Sequence, residues 1–240
     1  MAIANKNGIV VSADKRLTYK TIDLNTGLVT KIQFFDTEQK MFITKAGHVV
    51  AYTGESALSD GRFIEDAIKM TVQKTNNLNL CVRDELLYIK NELSSFAGLS
   101  NTRLLAAGVE DDTNNIYTTS LKLDDFIKVE LPIFGIGELS VAQTIHNTFT
   151  PDIEEFTITE TIDYLCFLNH AANKLNGFCK KYETISSQCD VCVITTTGTQ
   201  FVPYEAPSEI KSESSCVHPR LYTTLRNWLR SLIHRDGLSY

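Results

Sequence analysis

Apolar residues in this chain recur with two different periods, and the two periods occupy separate blocks. Strand-like alternation fills the N-terminal third, apart from turns. Helical spacing follows, first in Phe63, Ile64, Ala67, Ile68, Thr71 and Val72, then in Leu86, Ile89, Leu93 and Phe96. A second strand block covers residues 103–109, 116–121 and 126–134, with a polar turn between the first two. Two helices are expected next. One is short, at about 140–149; the other, at about 159–182, has Ile162, Leu165, Leu168, Ala172, Leu175 and Cys179 on one face. A buried strand, 189–195, closes the body at a turn around Gly198. Blocks segregated in this way predict an α+β fold: two packed antiparallel sheets with helices outside, a four-layer αββα sandwich.

Composition narrows the setting. The 240 residues contain 43% hydrophobic and 22% charged residues, the balance of an ordinary globular protein. A net charge of −6 argues against a nucleic-acid partner. No apolar run approaches the roughly 20 residues of a membrane span, and no secretory signal pattern opens the chain, so a cytoplasmic protein without a membrane partner is expected. The 6 cysteines are scattered among apolar stretches and are read as reduced thiols. Cys189 and Cys192 have metal-ligand spacing but fall in a strand, where residues three apart face opposite ways, so structural thiols are expected and no metal site. The histidines show no ligand spacing, and no nucleotide loop, nucleophile elbow or other cofactor motif is present; no cofactor is expected. Residues 1–202 are read as one domain and 203–219 as a polar linker. Residues 220–240 are read as an amphipathic helix with Leu221, Leu225, Trp228, Leu229 and Leu232 on one side, docking on its own body or on a neighbouring subunit.

Two hairpins carry the functional reading. Asn7-Gly8 is a strong type I′ turn signal, and a turn centred there pairs Met1 with Asp14. Folding 40–54 about Gly47 pairs Phe42 with Tyr52 and Lys40 with Gly54. A further hairpin, 17–24 with 28–35, is expected to protrude about Asn25-Thr26-Gly27.

Together these segments resemble the proteasome β-subunits and the bacterial HslV-type peptidases. The resemblance runs in order over about residues 1–202: the Gly8-to-Arg16 strand, Lys40 and Gly54, Leu104 to Val109, Phe134-Gly135-Ile136-Gly137, Glu183 to Ser186 and Cys189 to Thr195. It implies an N-terminal-nucleophile hydrolase fold in stacked rings. A terminal threonine would attack a peptide carbonyl there, with its own α-amine as general base. It further implies Lys40 as electrostatic activator, Asp14 holding Lys40, Gly54 as oxyanion donor, and Glu183 and Ser186 bonding the N-terminus. The chain departs from that pattern. No threonine stands at the nucleophile position, Ile136 replaces a serine, Glu183 replaces an aspartate, and the stretch between Asp14 and Lys40 is long.

The expectation is therefore a subunit of a self-compartmentalising ring, homo-oligomeric or beside related subunits, with vestigial site residues and no threonine-peptidase activity. An ATP-dependent unfoldase is a possible partner, and polypeptide a substrate only if the chain is active. Two alternatives stand beside it: an active peptidase whose true terminus lies upstream, and a monomeric binding module that recruits its partner through the C-terminal helix.

Overall fold

The computed structural model describes residues 1–23, 25–55, 62–96, 101–123, 125–136, 140–149, 151–178 and 188–204. The readings for Gly137, Cys179, Glu183, Ser186, the linker from residue 205 and the C-terminal helix lie outside these residues.

In chain order the strands of the first block are β1 (Ala2–Asn5), β2 (Gly8–Asp14), β3 (Leu17–Ile22), β4 (Val29–Phe35), β5 (Met41–Ile43) and β6 (Val49–Thr53). Helices α1 (Ile64–Thr75) and α2 (Val82–Ser94) follow, then β7 (Arg103–Glu110), β8 (Thr113–Ser120), β9 (Ile127–Lys128) and β10 (Ile133–Phe134). Helix α3 (Ser140–Phe149), a 3-10 turn (Ile153–Glu155), α4 (Ile158–Phe178), β11 (Cys189–Thr195) and β12 (Gly198–Val202) complete the described elements. One antiparallel sheet has the order β10-β1-β2-β11-β12 and the other β5-β6-β7-β8-β9, while β3 and β4 pair with each other as a separate two-stranded ribbon among the described residues.

One apolar core joins the two large sheets. Ala2, Ile9, Val11, Cys192 and Ile194 of the first meet Met41, Val49, Ala51, Leu105, Ala107 and Ile116 of the second. The opposite face of the second sheet, with Phe42, Val50, Tyr52, Leu104 and Ala106, packs on Ile64 and Ile68 of α1 and on Leu86, Ile89 and Leu93 of α2. Helix α4 lies along β1, β2 and β11 and beside α3. A capping box starts it: Glu160 N donates to Thr157 Oγ1 (3.2 Å), and Thr157 N donates to Glu160 Oε2 (2.8 Å).

Three sequence expectations are corrected. The first hairpin does not turn at Asn7-Gly8. Ala2 pairs with Val11 and Asn5 with Gly8, so Lys6-Asn7 form the loop and Met1 lies opposite Ser12, not Asp14. Asn5 sets this register. Its Oδ1 accepts from Asn7 N (2.9 Å), and its Nδ2 reaches the Ile153 carbonyl and Thr161 Oγ1. Gly8 is needed just after the loop, where φ is +136° and a Cβ would lie 2.4 Å from the Ile194 carbonyl oxygen. The tight turn with two positive-φ residues occurs instead at Asp111-Asp112, between β7 and β8.

The second hairpin is displaced in the same sense. Phe42 pairs with Val50, and Tyr52 N donates to the Lys40 carbonyl, so Lys40 lies opposite Tyr52 and not Gly54. Lys45-Ala46-Gly47 form a three-residue loop closed by Thr44 N donating to the His48 carbonyl, with Gly47 at its left-handed last position. Third, the strand expected at 126–134 is two. Ile127–Lys128 joins β8 and Ile133–Phe134 joins β1, with Pro132, which has no N–H to extend a ladder, at the crossing.

Candidate functional site

The site is built where β2 ends beside the loop entering β5. Lys40 Nζ donates to Asp14 Oδ1 (3.1 Å) and to the Arg16 carbonyl (2.7 Å). The same Asp14 oxygen accepts from Arg16 N (3.0 Å), so one carboxylate ties the strand end to the lysine. Arg16 in turn grips Asp36 with two parallel bonds of 2.7 and 2.8 Å. This fork fixes the base of the β3–β4 ribbon, since Asp36 follows its last strand. Only 12% of the Lys40 side chain and 23% of the Asp14 side chain are exposed, so solvent screens this pair weakly.

Next to this pair, Tyr52 donates its hydroxyl to Glu38 Oε1 (2.5 Å), and both groups are buried. Burial raises the Glu38 carboxyl above its usual range, against the hydrogen bond from Tyr52 and the charge of Lys40. Burial and the Glu38 charge push the Tyr52 phenol up as well, so it stays a donor.

Met1 continues β1 across from Ser12. Its amino nitrogen donates to the Ser12 carbonyl (2.6 Å), and Ser12 N donates to the Met1 carbonyl (2.8 Å). The Met1 side chain is partly exposed, but its amino nitrogen is enclosed, and burial lowers its pKa to about 6 against the opposing charge of Asp14. An amine so shifted is largely neutral at pH 7 and free to accept a proton. Behind it, Asn169 of α4 donates to Ser12 Oγ (3.1 Å).

Of the residues singled out in the sequence, Asp14 and Lys40 come together. Gly54 follows β6 with φ of +120° and presses on the next segment, where a Cβ would sit 2.4 Å from the Asn101 carbonyl oxygen. Ile136 packs against the core between the sheets. Cys189 and Cys192 face opposite ways: Cys192 lies in that core, and Cys189 meets Cys166 of α4 at a sulfur–sulfur distance of 3.8 Å. Sequence reasoning did not find Glu38, Tyr52, Arg16 with Asp36, or Cys166. Arg16 closes the Gly8-to-Arg16 segment and Tyr52 lies in the second hairpin, but their partners Asp36 and Glu38 are joined to them only in the folded chain. Among the described residues, no cluster of three or more His, Cys, Asp or Glu side chains is placed to hold a metal ion, and no helix is long and apolar enough to cross a membrane.

No family model and no curated protein matches the chain. Solved structures do. Anbu from Hyphomicrobium sp. strain MC1 aligns with a TM-score of 0.61 and 11% identity, over 100% of this chain and 97% of that one. The Anbu (Gly-1) mutant from the same strain gives 0.62 and 11%, over 100% and 96%. The fold is similar to that of Anbu. This corrects the family assignment suggested by sequence: assignment to the proteasome β-subunits and HslV-type peptidases has no family match behind it, and the likeness found is to Anbu. At 11% identity the likeness establishes a shared fold.

Proposed function

We propose that this chain is an Anbu-like subunit of a cytoplasmic ring assembly, built as a four-layer αββα sandwich and lacking threonine-peptidase activity of its own. The two sheets stacked through a common core, with helices against the outer face of each, support the layered reading. The observation that supports the loss of activity is Ile136, which packs against the core between the sheets where proteasome-like peptidases carry a serine hydroxyl that supports the reacting amine. Lys40 then serves a structural end, holding Asp14 and the Arg16 carbonyl where β2 leaves the sheet. Assembly is supported by the β3–β4 ribbon, which carries exposed Leu28, Val29 and Phe35. Leu28 and Val29 stand at the turn end of the ribbon and Phe35 at its base, where a neighbouring subunit would cover them.

Native mass spectrometry and peptidase assays test the proposal together. The expected results are a multiple of the chain mass and no turnover of fluorogenic peptides. A monomeric mass would refute the ring. Turnover abolished by a threonine-reactive inhibitor would refute the inactive subunit. The close Asp14–Lys40 contact favours one rival, an active peptidase whose nucleophile is exposed by processing. A Thr, Ser or Cys terminus on the natural protein, found by intact mass, would select that reading.

A further inference from the structure

Two thiols with no part in the proposed activity touch at the edge of the site. Cys166 lies on α4, one turn before Asn169. Cys189 opens β11, paired with Asp14 of β2. Their sulfur atoms are 3.8 Å apart although 23 residues separate them in sequence. The two are not equivalent: Cys166 is buried, whereas Cys189 is partly open to solvent.

The surroundings sharpen that difference. A hydrogen bond from Cys166 lowers the Cys189 thiol below its ordinary range, and Asn169 and the Met1 amino group add to this against the cost of burial. The same thiol–thiol bond, together with burial, pushes Cys166 up against a hydrogen bond with Tyr204. The partly open member is therefore the readier thiolate, with the buried thiol of Cys166 beside it. Reactive cysteines have this combination of access and thiolate character, while buried structural ones do not. Cys192, the other cysteine of β11, faces the core between the sheets, where burial raises its pKa to about 12.

We propose that Cys166 and Cys189 form a dithiol–disulfide pair that hydrogen peroxide oxidises, covalently joining α4 to β11. In the first step the Cys189 thiolate attacks one oxygen of the peroxide. A sulfur–oxygen bond forms, the oxygen–oxygen bond breaks, and hydroxide leaves and takes up a proton as water. Cys189 is oxidised by two electrons to the sulfenic acid, and the peroxide is reduced by the same two. In the second step the Cys166 sulfur attacks the Cys189 sulfur. A sulfur–sulfur bond replaces the sulfur–oxygen bond, and the departing hydroxide leaves as water with the Cys166 thiol proton. The sum is two thiols and one peroxide giving one disulfide and two waters. Closing from 3.8 Å to the roughly 2.05 Å of a disulfide moves the sulfurs by less than about 2 Å in total, a displacement shared by two side chains.

The test uses the full chain, reduced, desalted and treated with hydrogen peroxide. Remaining thiols are then alkylated under denaturing conditions and the products are peptide-mapped. The expected result is loss of two alkylatable thiols, an intact mass lower by about 2 Da, and one dominant linked peptide pair containing Cys166 and Cys189, reversed by dithiothreitol. Cys189→Ser is expected to leave Cys166 reduced, and Cys166→Ser to strand Cys189 as a sulfenic acid that dimedone traps. Peroxide that leaves both thiols alkylatable would overturn the proposal. So would a dominant link from either thiol to Cys81, Cys179, Cys192 or Cys216, or to a second chain. The wild-type map decides the matter even where a serine variant does not fold. Peptide turnover is not read at any point, so the result stands apart from the proposed loss of peptidase activity.

Discussion

Replacing Lys40 with methionine tests whether the charged cluster holds the fold together. The substitution keeps the length and apolar stem of the side chain and removes the ammonium. Two partners are then left short: among the described residues Asp14 keeps the Arg16 N–H alone, and the Arg16 carbonyl loses its 2.7 Å donor. At 3.1 Å and an effective dielectric of about 20, the Lys40–Asp14 attraction is about 5 kcal/mol before desolvation. Most of this is offset, because both groups leave water on folding. An under-satisfied carboxylate and carbonyl cost about 1–3 kcal/mol between them. The expected loss is about 2 kcal/mol, or roughly 4–8 °C in Tm for a chain of this size. The assay is thermal and urea unfolding of wild type, Lys40→Met, Asp14→Asn and the double variant. Coupling of about 1 kcal/mol or more is expected in the cycle. A Lys40→Met protein that melts with the wild type, or a cycle with no coupling, would refute a structural role for the pair.

Two further outcomes follow from local geometry. Gly54→Ala forces a Cβ onto the Asn101 carbonyl at a φ of +120°, and should cost about 3 kcal/mol in urea unfolding. Gly27→Ala, at a φ of +69° with open space around it, should cost about 1 kcal/mol; equal costs would show that close packing at Gly54 is unimportant. The buried Met1 amine gives a pH dependence. With its pKa near 6 when folded and 8.0 when unfolded, the unfolded chain binds more protons in that window, so stability rises as pH increases from about 6 to 8. The gain is up to about 2.7 kcal/mol, and protein with a chemically blocked α-amine should lack that part of the rise. His146 and His170, lowered by burial, act in the same direction in both proteins and drop out of the comparison. A blocked protein with an unchanged profile would show that the amine is not buried.

Helices were the legible part of this chain. Each of the four was expected close to where it lies, because an apolar stripe at helical spacing is written in consecutive residues, as in Ile64, Ala67, Ile68 and Val72 of α1. Strand β11 was equally plain, since a short apolar run bounded by turns suits a strand buried on both faces. The hairpins were legible in existence but not in register. In both, the expected turn placed its glycine at the centre, whereas the structure places Gly8 just after a two-residue loop and Gly47 at the end of a three-residue one. Each displacement is two residues, so every side chain keeps its face and the buried pattern gives no warning. The partners of Met1 and Lys40 nevertheless change, and with them the layout of the candidate site.

Sequence alone determined which segments are helices and which are strands, the absence of a nucleophilic side chain on Met1, and the presence of Asp14 and Lys40. Those properties reside in single residues or in short periodic runs. The resemblance already implied that Asp14 holds Lys40; only tertiary structure decided the strand register in which they meet, that Ser12 bonds Asn169 from α4, and that Cys166 touches Cys189. These contacts join residues far apart in the chain, and their partners are set by sheet register and by the helix laid across it. The register itself was set at a distance, by Asn5 reaching Ile153 and Thr161 and by Gly8 pressing on Ile194. Local turn preference is worth about a kilocalorie per mole, and satisfying buried polar groups along a whole strand outweighs it.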